Sequence, residues 1–292
     1  MSAQPVSDEN VSEPAITERD MLGALEVLAT ATDDPDELLV LTDEELLGLG
    51  GPSALDLLGS PYLSQPEVDA DASAAAAVRS LAARRLLTPA DDGAQPEGDV
   101  VVGNAESARR PFQLDRRLAG VLALRRTSLG LVDVVRTLAG GTTTLAIYCF
   151  PGGGVLEEYV TIDGFHHFSV PEPSAVASRL GRFVDPFDDA SDDGDVSTLR
   201  VPGQDVDAAV EGSRAISILT SVVEGGGTQA TLIAHPGRLR IIDNGPIREV
   251  SDPIDREISD VSPESLLSIL QSLVPVPPDD DEEDDAPEAS QD

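Results

Sequence analysis

Few residues in this sequence are suited to chemistry: three histidines and one cysteine among 292 residues. His166 and His167 are adjacent, and neighbours on a strand point to opposite faces, so they are poorly placed to ligate one ion. His235 precedes Pro236 at a turn. All three are expected as polar positions on strands or turns, with no metal site. Cys149 ends an apolar run beside Phe150 and Pro151. A thiolate nucleophile needs a basic partner and an electropositive setting, and nothing local supplies either, so Cys149 is expected in the core. Asp189, Ser191, Asp193 and Gly194 match the first, third, fifth and sixth positions of a calcium loop. The twelfth position, which requires a bidentate Glu, is Arg200, whose cation opposes coordination. A solvated acidic loop is expected there instead.

Glycine-rich stretches occur at Gly140-Gly141-Thr142, Gly152–Gly154 and Gly225–Gly227. None continues into the Lys-Ser/Thr of a phosphate loop, and none fits a dinucleotide fingerprint. Gly152–Gly154 and Gly225–Gly227 are instead expected as equivalent strand–strand loops. With no nucleophile elbow, HExxH or paired His/Asp spacing, neither enzymatic activity nor a cofactor is expected.

Charge narrows the partners further. Nineteen basic residues, all arginine, face 54 acidic ones, for a formal net charge of −35. A field of this sign repels nucleic-acid phosphates and anionic membrane surfaces within a Debye length, so neither is an expected partner. Against it stands a cluster formed by Arg109, Arg110, Arg116, Arg117, Arg125 and Arg126, opposed locally only by Asp115. The cluster either neutralises the protein's own acidic loops or tail, or docks an acidic or phosphate-bearing partner. A lone cysteine excludes an internal disulfide framework. The polar, acidic N-terminus has no signal-peptide pattern, and no apolar run reaches the roughly 20 residues that cross a bilayer, so a cytoplasmic protein is expected.

The elements that must position these residues are legible in part. Residues 1–15 read as a disordered lead and 16–90 as a mainly helical segment. Thr17 and Thr42 are N-caps, with Asp20 and Glu45 reaching back. The first helix should bury Met21, Leu22, Leu25 and Leu28. An alanine-rich helix over 72–87 should bury Val78, Leu81, Ala82 and Leu86. A linker follows at 91–108. A first lobe over 109–184 holds a short helix near 115–126, strands near 129–137 and 143–150, and a hairpin of 155–162 with 165–170. That hairpin turns at Asp163-Gly164, a pair suited to a type I′ turn. A helix then runs from about Pro173 to Val184. After the acidic loop 185–204, a second lobe over 205–274 repeats the pattern with strands at 214–223, 229–235 and 238–243. Its closing helix starts at Ser262 with Pro263 in the first turn. Residues 275–292 form a disordered acidic tail, since like charges repel and bury nothing. The expected fold is α+β: a helical N-terminal layer followed by two similar lobes, each a small antiparallel sheet backed by a helix.

The run Leu39-Val40-Leu41-Thr42-Asp43-Glu44-Glu45-Leu46-Leu47 precedes the alanine-rich helix that closes in Leu81-Ala82-Ala83-Arg84-Arg85-Leu86. A loop and two sheet-and-helix units then follow. In this order and texture, over roughly 35–275, the chain resembles the EspG family, the actinobacterial chaperones of type VII (ESX) secretion. Arg85 stands where the resemblance expects glycine. The resemblance implies a pseudo-symmetric α+β chaperone that binds helical-hairpin substrates of the PE/PPE type in the cytosol and shields their hydrophobic tip until export. The candidate partner-binding residues are Gly152, Gly153 and Gly154 as an adaptable loop, with Leu266, Leu267 and Leu270 on the last helix. The alternative is an acidic regulatory protein that engages a basic partner through its loop and tail.

Overall fold

A computed structural model describes residues 15–89, 112–201, 204–248 and 253–275. The expected linker 91–108, Arg109 and Arg110, the lead up to residue 14 and the tail from 276 lie outside the described residues. In chain order the elements are α1 (Glu18–Leu28), β1 (Leu39–Thr42), α2 (Asp43–Gly50), α3 (Ala70–Ala83), β2 (Leu87–Pro89), β3 (Phe112–Leu114) and α4 (Arg116–Thr127). There follow β4 (Gly130–Leu138), β5 (Gly141–Cys149), β6 (Val155–Val160), β7 (Phe165–Ser169) and α5 (Val176–Val184). The last part comprises β8 (Ser197–Val201), α6 (Gln204–Val210), β9 (Ala215–Val223), β10 (Gly226–His235), β11 (Arg238–Pro246), β12 (Ile254–Asp260) and α7 (Pro263–Leu273).

The expectation of two lobes with separate small sheets is overturned. One ten-stranded sheet runs in the order β1-β7-β6-β5-β4-β9-β10-β11-β12-β8, beside a two-stranded β2-β3 ribbon. The joint is β4 against β9, antiparallel from Gly130↔Val223 to Leu138↔Ala215. Each strand would otherwise leave a row of unpaired backbone groups at a sheet edge; pairing them satisfies both. The repeated order does survive along the chain, as helix, four strands, helix in α4-β4-β5-β6-β7-α5 and again in α6-β9-β10-β11-β12-α7. The two glycine loops are not equivalent within it. Gly152–Gly154 connects the second and third strands of its series, whereas Gly225 connects the first and second.

The chain divides into two compact units. The first draws on Met1–Thr30, Glu37–Arg126 and Val160–Phe168, the second on Ala31–Asp36, Thr127–Tyr159 and Ser169–Asp292.

In the first unit, Thr17 and Asp20 form the expected capping box of α1, and Thr42 and Glu45 that of α2. The buried face of α1 differs from the expected one. Asp20, Gly23, Ala24 and Val27 are inside, while Leu22 and Leu25 are exposed. Close backbone approach decides this: a Cβ on Gly23 would lie 2.4 Å from the Arg116 carbonyl oxygen, and one on Gly120 would lie 2.4 Å from that of Gly23. Only small residues permit helices α1 and α4 to meet so tightly. Helix α3 buries Ala74 and Leu81 but leaves Ala82 exposed. It ends in a Schellman motif, with Leu86 N–H donating to Leu81 O and Arg85 N–H to Ala82 O. Arg85 occupies the left-handed position at φ 63°, which explains why glycine is expected there.

The hairpin of β6 and β7 forms as expected, but not through a type I′ turn. Gly164 alone takes positive φ, at 75°, and Thr161 N–H donates to Phe165 O while Gly164 N–H donates to Thr161 O. This is a type I turn closed by a glycine bulge.

In the second unit, helices α5 and α7 pack on one face of the sheet. Val176, Leu180, Phe183 and Val184 join Leu266 and Leu270 over Val132, Val134, Leu145, Ile147, Leu219, Leu232 and Leu239. A smaller cluster sets Ala209 of α6 against Leu199, Ile233, Ile242 and Ile258. Because strand side chains alternate, Ile233 and Leu232 point to opposite faces, so α6 lies on the face away from α5 and α7.

Candidate binding surface

The histidines and several buried carboxylates of the described residues are engaged with internal partners. His166 Nε2 lies 2.9 Å from Asp43 Oδ1, both side chains fully buried. His167, on the opposite face, places Nδ1 2.6 Å from Glu37 Oε2. His235 donates from Nε2 to the Ala209 carbonyl at 2.9 Å. The three histidines therefore have separate partners, and among the described residues no group of three or more His, Cys, Asp or Glu is arranged to hold a metal. Cys149 is buried, and burial pushes its thiol up to about 11, so the thiolate is scarce at neutral pH.

Two buried carboxylates escaped the sequence reading. Glu157 accepts from Arg179 Nε at 2.7 Å and Nη2 at 2.5 Å, and from Ser169 Oγ at 3.0 Å. Glu158, on the other face of β6, accepts from the Tyr148 hydroxyl at 2.7 Å. Adjacent glutamates inside an otherwise apolar strand, Val155-Leu156-Glu157-Glu158-Tyr159-Val160, were the available signal, because a buried carboxylate needs partners.

The acidic segment 185–204 is exposed over 191–198, but several of its aspartates are tied to the rest of the unit. Asp185 accepts from the backbone N–H of Asp189 at 2.8 Å and of Ala190 at 2.9 Å. Asp189 accepts from Gly237 N–H at 2.9 Å and lies 3.4 Å from Arg214 Nε. Asp193 accepts from Ser262 N–H at 2.8 Å and from Ser265 Oγ at 2.9 Å, bonds that hold its carboxyl below the usual range. These aspartates tie the segment to β11 and to the start of α7. Ser197–Val201 then adds β8 at the edge of the sheet, where Arg200 Nη1 meets Asp255 Oδ1 at 3.2 Å.

The described members of the arginine cluster also have partners. Arg116 pairs with Glu26 at 2.7 Å, Arg117 donates to Leu38 O at 3.4 Å, and Arg125 donates to Ala54 O at 3.0 Å. Arg126 likewise has an interaction partner. For Arg116 the counter-charge comes from α1 and not from the acidic loop.

The candidate loop and helix residues part company. Gly152 and Gly153 take φ 73° and 79° in the open β5–β6 connection, with nothing within 4 Å of where a Cβ would be; Gly154 is ordinary extended backbone. Leu266 and Leu270 belong to the core beneath α7, whereas Leu267 is 41% exposed at the margin of the α5 contact, where a Cβ on Gly181 would lie 3.4 Å from its Cδ2. A cavity of about 280 Å³ lined by Asp195, Ser197, Leu199, Ala209, Arg240 and Asp260 includes none of these six residues. Its one guanidinium is paired, Arg240 Nε to Asp260 Oδ1 at 3.2 Å.

A half-exposed apolar surface lies elsewhere in the second unit, on the face of β4 and β9 away from α5 and α7. Directly opposed residues of antiparallel strands share a face. Leu131 stands opposite Val222, Asp133 opposite Thr220 and Val135 opposite Ile218. On β10, Gln229 stands opposite Thr220 and Thr231 opposite Ile218. Ile218 is 40% exposed and Val222 39%, although each sits in the middle or final third of a nine-residue internal strand. Toward β5 the same face closes over, with Ala146 and Tyr148 fully buried. A half-open apolar stripe in the interior of a sheet is the kind of surface that marks a binding site.

No protein-family model matches the sequence, and no curated protein is significantly similar to it.

Proposed function

We propose that this protein is a cytoplasmic protein-binding chaperone or adaptor that shields an apolar helical segment of a secreted partner, as the resemblance to type VII secretion chaperones implies. The observation that carries the reading is the open stripe of Ile218, Val222 and Val135 on the sheet, where apolar side chains stay half-exposed in internal strands. The occupied state of the histidines and buried glutamates, and the protonated Cys149, fit binding better than catalysis. No helix among the described residues is long and apolar enough to cross a membrane. The partner-binding role moves from Leu266 and Leu270, which are core, to this stripe, with the Gly152-Gly153 loop retained. The alternative reading through the acidic loop is weakened by the backbone bonds of Asp185, Asp189 and Asp193.

The test is co-expression with a helical-hairpin secretion substrate of the PE/PPE type encoded beside the gene. A one-to-one complex that Ile218→Asp and Val222→Asp each disrupt is expected. Repeated failure to co-purify any such neighbour, or a complex indifferent to both substitutions, overturns the proposal.

A further inference from the structure

The open stripe contains one anomaly. Asp133 lies in its centre, with Leu131 and Val135 before and after it on the same face and Thr220 and Ala146 directly across. Burial pushes its carboxyl up to about 6, yet none of the hydrogen bonds or ion pairs described for the protein reaches its carboxylate from another side chain. Arg136, three residues on, points to the opposite face and donates to Phe183 O at 2.7 Å. Two more deeply buried carboxylates are satisfied from within: Asp43 by His166 and two backbone N–H groups, Glu157 by Arg179 and Ser169. A partly desolvated carboxylate without a cation is costly, and a partner that supplies the cation recovers that cost on binding.

Resting on the docking surface argued above, we infer that Asp133 is the specificity anchor of this face and that its occupant is an apolar helical segment carrying one central arginine or lysine. The apolar rim excludes water around the pair, which strengthens it and penalises a partner bearing a neutral or acidic residue there. The net charge of −35 favours a cationic segment at long range, but the stripe gives that cation one position.

The probes are labelled 18-residue amphipathic peptides with a Leu/Ala face and arginine, citrulline or glutamate at its centre. Binding to the full-length protein is followed by fluorescence anisotropy at physiological salt, which screens distant charges. The arginine peptide is expected to bind about tenfold more tightly than the citrulline peptide, and the glutamate peptide more weakly still. Asp133→Asn, similar in size and shape, is expected to erase the arginine–citrulline difference. Equal binding of the two peptides, or an arginine preference that survives in Asp133→Asn, overturns the anchor. If Ile218→Asp or the milder Val222→Thr still weakens binding in that case, the docking face stands without it. If no peptide binds, or binding ignores Ile218 and Val222, the face and the anchor fall together. Thermal melts of each variant confirm that it is folded.

Discussion

Asp43 Oδ1 and His166 Nε2 meet at 2.9 Å with neither side chain exposed, and the other carboxylate oxygen of Asp43 accepts the backbone N–H of Tyr62 at 2.8 Å and of Leu63 at 3.3 Å. One carboxylate thus fastens the start of α2, the 60–64 segment and β7. Gly164 belongs to the same arrangement, because a Cβ there would sit 2.7 Å from Asp43 Oδ2.

Asp43→Ala removes three acceptor bonds, one of them to a buried imidazole, at an expected cost of about 3–5 kcal/mol in urea unfolding. His166→Ala costs less. The double variant should be less destabilised than the two losses added, because they share one bond. Strict additivity would show that the pair does not act as a unit.

Asp133 links stability to pH. Its carboxyl, raised from 3.8 to about 6, favours the protonated form when folded. That contribution is fully present below about pH 4 and is lost as pH rises through about 6. Asp133→Asn should therefore raise the melting temperature at pH 7.5 and leave it nearly unchanged at pH 4. Solvent around the group limits the gain to about 1 kcal/mol. An equal effect at both pH values would contradict the assignment.

Arg85 carries the cost of a left-handed backbone in the Schellman turn of α3. Arg85→Gly relieves it, and the larger entropy of a glycine in the unfolded chain offsets part of the gain, so about 0.5–1 kcal/mol of stabilisation is expected. Differential scanning calorimetry would show a rise in Tm; a fall would mean that the arginine side chain makes compensating contacts.

Gly120→Ala introduces a methyl 2.4 Å from the Gly23 carbonyl, a clash with backbone that no rotamer relieves. Separation of α1 from α4 and a loss of at least 2 kcal/mol are expected, visible as faster amide exchange across Glu18–Leu28. Gly140→Ala, with nothing within 4 Å of its Cβ position, is the contrasting control.

What could be read from the sequence followed local physics. The caps at Thr17, Thr42 and Ser262, the β6–β7 hairpin and the strands β9 to β11 come from side chains a few residues apart. Strand β12 was missed because its alternation, Ile254-Asp255-Arg256-Glu257-Ile258-Ser259-Asp260, has too few apolar members to mark a face. Strand β8 lay hidden in an acidic stretch. The apolar side of α1 was misjudged because contact with Gly120 favours Gly23 and Ala24 over larger leucines. The partners of Asp185 and Asp193 lie far along the chain, so composition alone suggested solvent. Asp133 was visible as a lone acid inside Leu129–Leu138, but its open face depends on β9, which no local pattern reveals.

The β4–β9 seam also sets a schedule for synthesis. Strand β4 leaves the ribosome roughly eighty residues ahead of β9, an interval on the order of 5–15 seconds at common elongation rates. Throughout that interval the nascent chain carries Gly130–Leu138 with one long backbone edge unclaimed. Slower translation between residues 139 and 214 lengthens the exposure, so synonymous codon changes there should alter yield without altering the folded product.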